Sequence, residues 1–440
     1  MTKPLEALRH ELIEIKSISR HGVIESLQAG MIRVMGLSPY AHIGDRLYFE
    51  SGLTAEILGI DADVITAFPE APVDGLALGM ECQLLSPPSL TPNLSWLGRV
   101  IDPLGQALDE RPLLRGAQSA LLSSGPPPAA KRRTMGCRCA TGMTIFDTIL
   151  PIARGQRIGL FAGSGVGKTM LLGQFARGME ADVIVIALIG ERGRELREFV
   201  ERVLGAEGMK RSIIVAATSD QSPTIRRRCL SSAISVAEHF RDLGLHVLLL
   251  ADSVTRFAEA HREIAFRLGE VGQMRGFPPS TAQMIMSLSE RAGPGPDSHQ
   301  GDITAIFTVL VAGSDMEEPI ADILRSVLDG HVVMDRSIAE RGRFPAIDIL
   351  RSVSRSLPHI ASDEENRMIS EARQLLGCWD RAELMIQAGL YAKGSDPNVD
   401  AAIRAWPALD GLAASVSPSI EHSFAQLSAA LSSAHPPSDS

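Results

Sequence analysis

Residues 162–169 read AGSGVGKT, placed between the apolar run IGLFA (158–162) and the helical stretch TMLLGQFARGM. A strand, a glycine-rich turn and a helix in that order make a cradle for phosphate. Gly163, Gly165 and Gly167, with Ser164 and Val166 between them, let consecutive backbone N–H groups turn inward. The helix N-terminus adds its partial positive charge. Lys168 is placed to reach β- and γ-phosphates, and the Thr169 hydroxyl is the expected Mg²⁺ ligand of a bound nucleotide. The pattern G-x-x-x-x-G-K-[ST] is met except at its first position, where Ala162 stands. A negative φ there would accommodate it. A chance glycine-rich turn with an incidental lysine fits the flanking elements poorly.

Hydrolysis needs two further groups, and the sequence offers candidates for both. The run VLLLAD ends in Asp252, an acid at the carboxyl edge of a sheet, where a second carboxylate of the Mg²⁺ shell belongs, largely through water. In VIVIALIGERGRELREF, Glu191 follows a buried strand and a glycine at the same edge. A carboxylate there can orient an attacking water or take its proton. It can equally open the next helix as a favourable N-terminal charge. Arg192 beside it has the reach for a γ-phosphate, whereas Arg194 and Arg197 read as solvated.

The elements that must hold these residues are legible in the texture of the chain. Between about 145 and 355, the runs IGLFA, VIVIALI (183–189), SIIVAAT (212–218), VLLLA (247–251) and ITAIFTVLV (303–311) alternate with helical stretches. Continuous apolar strands are buried on both faces, so the reading is a parallel sheet with helices on each side. From about 21 to 88 the runs are short and broken by Gly, Pro and Asp, as in HGVIESLQAGMIRVMGL and LTAEILGIDADVITAF, and suggest six or so strands in a small closed barrel. SPPSLTPN (86–93) marks a boundary, and LLSSGPPPAAKRR (121–133) reads as a surface loop or linker. After 360 the pattern is helical only. Leu5, Leu8, Leu12 and Ile15 form one face of a short terminal helix, which either covers the barrel or docks a partner. SSAHPPSDS at the other end reads as disordered.

Composition bounds the answer without naming it. The 440 residues, 45% hydrophobic and 22% charged, exceed one core, which rarely grows past roughly 250–300 residues. No apolar run is long and uncharged enough for a membrane span, and the charged start MTKPLEALRHELIEIK is no secretory signal. A net charge of −9 argues against a protein that coats nucleic acid. The five cysteines include a C-R-C at 137–139, too tight for C-x-x-C. They read as buried or half-buried free thiols in a reducing compartment.

Taken together, AGSGVGKT, IGERGRELREF, ATSDQSPTIRRR, LLLADSVTRFAEAHREI, SERAGPG, DGHVVMDRSIAERGRFPAIDILRSVSR and the C-terminal QAGLYAKGSDPNVDAAI resemble the type III protein export ATPases. These are relatives of the α and β subunits of rotary ATP synthases, and the flagellar branch is nearest. The resemblance covers about residues 20–410. It implies a multidomain α/β fold: a regulator-docking helix at 1–20, a β-barrel at 21–90, a RecA-like P-loop domain at 91–360, a helical domain at 361–431 and a tail at 432–440. For the site it implies that Lys168 and Thr169 hold phosphate and Mg²⁺, Glu191 polarises water and Asp252 completes the metal shell. Arg192 and Arg256 resemble arginines of the phosphate pocket. Phe344 resembles the aromatic set against adenine, unless it is a core aromatic. Arg355 resembles the arginine finger that enters a neighbouring subunit's site, a contribution worth about 10³–10⁵ in rate.

The same resemblance implies an Mg²⁺-dependent ATP hydrolase in a homohexameric ring, cytoplasmic with a peripheral pool at the inner-membrane export gate. Its implied partners are a stator-like negative regulator on the N-terminal helix, a central stalk protein, membrane proteins of the export gate, and chaperone–substrate complexes. The competing readings are a virulence-injectisome ATPase, a rotary synthase catalytic-type subunit and a Rho-type nucleic-acid translocase. The last is disfavoured because the barrel offers only Tyr40, Tyr48, Phe49 and Phe68 to stack bases, so no nucleic-acid partner is expected.

Overall fold

The computed structural model describes residues 18–120, 122, 125–311 and 316–434. The helix expected at 1–20 lies almost wholly outside them, as does most of the tail expected at 432–440. What is described of that tail is ordered: the last helix runs to Ser432, and Ala434 is buried.

Six strands, β1 His21–Gln28, β2 Met31–Met35, β3 Arg46–Phe49, β4 Thr54–Ile60, β5 Val64–Pro69 and β6 Glu81–Leu85, close into an antiparallel barrel in the order β1-β2-β5-β4-β3-β6. Alternation sets what is inside: Ile24, Ile32, Val34, Leu47 and Phe49 fill the barrel, while Val23, Met35 and Tyr48 face outward. The barrel is fastened to the body by charge. Buried Glu56 on β4 lies 2.8 Å from both Arg227 and Arg228.

The body is one sheet in the order β15-β14-β8-β13-β11-β9-β10-β7, with β12 beside β13. Its strands are β7 Arg99–Ile101, β8 Arg157–Ala162, β9 Val183–Glu191, β10 Ser212–Thr218, β11 His246–Asp252, β12 Gly293–Pro294, β13 Asp302–Leu310, β14 Gly330–Met334 and β15 Ile347–Ser354. The strands from β7 to β14 along this order are parallel, and β15 closes one edge antiparallel to β14.

Strand residues of alternating parity serve two different cores, as double burial requires. Ile184, Ile186, Leu248 and Leu250 pack with Leu171 and Phe175 of α1 (Lys168–Gly178). Val183, Val185, Leu249 and Ala251 pack with Ile234 and Phe240 of α2 (Pro223–Asp242) and Phe257 of α3 (Val254–Arg267). The C-terminal helices α4 (Asp363–Gln387), α5 (Pro397–Gly411) and α6 (Ile420–Ser432) add Ile369, Leu409 and Leu427 to the first of these cores. All five cysteines are free. Cys137 is exposed, contrary to the expectation for it, because its segment runs over the surface.

Candidate active site

The parallel strands deliver the chemistry to one edge. β8, β13, β11 and β9 are neighbours, and Ala162, Leu310, Asp252 and Glu191 are their last residues. Ala162 ends β8 fully buried and without positive φ, so the non-glycine residue costs nothing there. Gly165 and Gly167 do need their freedom, with φ of 79° and 89°. Between them Val166 turns into the core, while Gly167 caps α1 and leaves Lys168 and Thr169 in its first turn.

Lys168 and Asp252 are in direct contact, ammonium to carboxylate. The same carboxylate oxygen accepts a 2.7 Å hydrogen bond from the buried Thr308 hydroxyl on β13. The acid is therefore held from two strands and one helix. Thr308 escaped the sequence reading, although a signal existed: a hydroxyl in a doubly buried strand must find a partner. Thr304, two pleat repeats earlier, does so with His246 at 2.8 Å.

Glu191 stands just past the end of the buried part of β9. Burial, the nearby Asp252 charge and a hydrogen bond with Glu195 push its carboxyl up to about 7, and Lys168 opposes the shift. Glu195 is held low, first by that bond to Glu191 and also by Arg192. The pair thus splits, with Glu191 pushed up and Glu195 held down. Glu195 is a site residue the sequence reading passed over, because nothing in the sequence tells which carboxylate of the helix Gly193–Glu198 faces back. Thr169, Glu191, Glu195 and Asp252 line a cavity of about 300 Å³, walled on the other side by Leu188 and Phe199.

The arginines divide. The stem of Arg256, near the start of α3, covers Gly190: a Cβ on that glycine would lie 3.3 Å from the Arg256 Cβ. Its guanidinium is 2.9 Å from Glu259. Arg192 points to solvent and reaches Glu195 at 3.1 Å, so it joins the site through that carboxylate. Phe344 stands half-exposed over the loop, with its ring 3.2 Å from where a Cβ on Gly167 would be. An aromatic face left 51% exposed beside a phosphate cradle is no core aromatic.

Arg355 is elsewhere. It follows Ser354, which pairs with Gly330 at the start of β14, whereas Met334 at the end of β14 pairs with Ala162. Its backbone N–H donates to the carbonyl of Asp329 and its guanidinium to the carbonyl of Arg325. It therefore occupies the sheet edge opposite the phosphate loop of its own chain.

Thr169 and Asp252 are hard oxygen donors beside a phosphate cradle, which suits Mg²⁺. Among the described residues no group of three or more His, Cys, Asp or Glu could hold a metal by itself. The donor set thus fits an ion that arrives with phosphate and water ligands, as Mg²⁺ does.

Comparison with known proteins places this geometry among relatives. The ATP synthase alpha/beta family, nucleotide-binding domain, matches residues 142–354, and the T3SS EscN ATPase C-terminal domain matches residues 361–428. The chain is 41% identical to the flagellum-specific ATP synthase of Caulobacter vibrioides, across 90% of this chain and 91% of that protein. It is 38% identical to the type 3 secretion system ATPase of Xanthomonas euvesicatoria, across 90% of each. Among solved structures it is similar to the assembled ATPase EscN of the enteropathogenic E. coli type III secretion system, at a TM-score of 0.86 and 36% identity, covering 93% of this chain and all of that one.

Proposed function

The chain belongs to the family of flagellum-specific and type III secretion ATPases, related to the ATP synthase α and β subunits, and we propose that it is the ATP hydrolase of a flagellar protein-export apparatus, acting as a homohexameric ring. The observation that carries the ring is the placement of Arg355. One chain bears both Glu191, at its own phosphate loop, and an arginine at the opposite sheet edge. Head-to-tail contacts that close into a ring would bring each Arg355 to the next chain's loop, so every interface of a ring of this chain alone is complete.

In this reading the loop N–H groups and Lys168 grip the phosphates, and Phe344 lies against the adenine. Thr169 and, through water, Asp252 hold Mg²⁺, which when bound neutralises phosphate charge. Glu191 orients the attacking water and accepts its proton, Arg256 and Arg192 lie on the phosphate side, and the neighbour's Arg355 stabilises charge on the transferring group. ATP turnover per chain should rise with protein concentration across the assembly range. Constant turnover over that range contradicts the ring.

The export role rests on likeness to flagellar relatives such as that of C. vibrioides. EscN has been solved with its central stalk EscO, which supports a stalk partner here. The regulator at residues 1–20, the export gate and chaperone-bound substrates as partners, and coupling of hydrolysis to their release and unfolding, belong to the same proposal. So does a cytoplasmic protein with a pool at the inner membrane; no described helix is long and apolar enough to cross one. The test is deletion in the source bacterium. Cells without external hook and filament, restored by the wild-type gene but not by Lys168→Ala, support the flagellar reading. Normal swimming would transfer the protein to an injectisome, the second reading that the Xanthomonas relative favours.

A further inference from the structure

We infer that Arg343 is a positioning residue for base binding: it holds Phe344 against the phosphate loop and is itself held by Asp410 of α5, so that grip on the adenine depends on the C-terminal helices. The inference rests on the proposed adenine role of Phe344.

The turn that carries Phe344 is curled around one guanidinium. Arg343 donates from one terminal nitrogen to the carbonyl of Pro345 at 3.0 Å and from the other to that of Ile347 at 2.8 Å. Its Nε lies 3.0 Å from the Asp410 carboxylate, an ion-pair contact that is not aligned as a hydrogen bond. Only 12% of the side chain is exposed, whereas the next residue, Phe344, is half in solvent. A planar fork can bind two carbonyls of one turn while its charge lies beside a carboxylate; a lysine cannot. With residues 345–347 closed on the guanidinium and Ala346 and Ile347 fully buried, Phe344 is the one side chain of the turn sent outward, onto Gly167.

The anchor is in another part of the fold. Asp410 lies near the end of α5, and a cavity of about 280 Å³ separates the turn from the helices, lined by Arg341, Arg343, Asp410, Glu383, Trp379 and Trp406. The two indoles stack at 4.6 Å and brace α4 against α5. Arg341 to Glu383 at 3.0 Å is a second link, with Arg341 half-exposed and so worth less. Beside the shared apolar core, the ion pair is a direct polar tie between the turn and α5. Without that carboxylate the buried guanidinium charge is left uncompensated, which weakens its hold on the turn.

The test compares Arg343→Gln, Asp410→Asn and Phe344→Ala in the full chain, reading KM for ATP, kcat and inhibition by inorganic triphosphate, which has no base to stack. All three should raise KM for ATP, on the order of tenfold for about 1.4 kcal/mol of lost contact. kcat should stay within about twofold and triphosphate inhibition should be unchanged. If Phe344→Ala raises KM while both other variants leave it alone, the positioning role is overturned and the adenine role stands. If Phe344→Ala has no effect, both fall. Equal weakening of ATP and triphosphate by Arg343→Gln and Asp410→Asn would mean general damage to the loop and would also overturn the inference. Melting curves identify a variant that fails to fold, and the other variant of the pair then decides.

Discussion

Lys168 and Arg355 stand at opposite edges of one sheet. Lys168 begins the helix that follows β8, whose last residue Ala162 pairs with Met334, and Arg355 follows Ser354, which pairs with Gly330 at the other end of the same β14. Four strand steps of about 3.3 Å separate those levels, about 13 Å before the loop itself is counted. An arginine so placed cannot serve the phosphate of its own chain without dismantling the edge strand. That separation is the structural root of the proposed ring.

In the proposed mechanism Glu191 makes the rate depend on pH in a defined direction. Its carboxyl, pushed up to about 7 by burial and by Asp252, must be ionised to accept a proton. kcat/KM should therefore fall about tenfold per unit of pH below 7 and level off above it. Glu195→Gln removes a neighbouring negative charge that helps to raise Glu191, so the limb should move to lower pH. Glu191→Gln should lower kcat by about 10²–10⁴ and abolish the limb.

The same shift has a consequence for stability. A carboxylate whose folded pKa is raised destabilises the fold as pH climbs above its unfolded value, and the penalty is complete once pH passes the folded value. Between pH 5 and pH 8, Glu191→Gln should therefore melt progressively higher than the wild type. A gap in melting temperature that stays constant with pH would contradict the burial described for Glu191.

Thr308 is the test of how Asp252 is held. Thr308→Val keeps the shape and removes the 2.7 Å hydrogen bond to the carboxylate. It should cost about 1–2 kcal/mol of stability and raise the Mg²⁺ concentration needed for half-maximal turnover. An unchanged Mg²⁺ titration would show that Lys168 alone fixes the acid.

The barrel's attachment is measurable separately. Glu56→Gln leaves Arg227 and Arg228 without their shared carboxylate, and breaking a buried pair of this kind costs about 3–5 kcal/mol. Thermal unfolding should show the loss, while ATP binding at the distant loop should persist in the folded fraction.

Much of this was readable in the sequence where the signal is local. The phosphate loop, the five long apolar runs and the barrel's short alternating strands each carry their periodicity within a few residues. β7, with three residues, has no period to read and is a strand only because β10 lies beside it. β14 and β15 carry no long continuous apolar run to read, and their antiparallel pairing decides where Arg355 goes. Thr308 and Glu195 acquire meaning only from what the fold brings against them. The position of Phe344 over Gly167 likewise joins residues far apart in the chain.

The site proposed to be shared between neighbouring chains is tested most directly by mixing two variants that should each be inactive. Lys168→Ala lacks its own loop lysine but keeps Arg355; Arg355→Ala lacks the proposed finger but keeps its loop. In randomly mixed closed rings about a quarter of interfaces join an intact loop to an intact finger. Mixing the two variants at assembling concentrations should therefore restore ATP hydrolysis well above the sum of the separate proteins. A mixture no more active than that sum, with assembly confirmed, would contradict a finger supplied by the neighbouring chain.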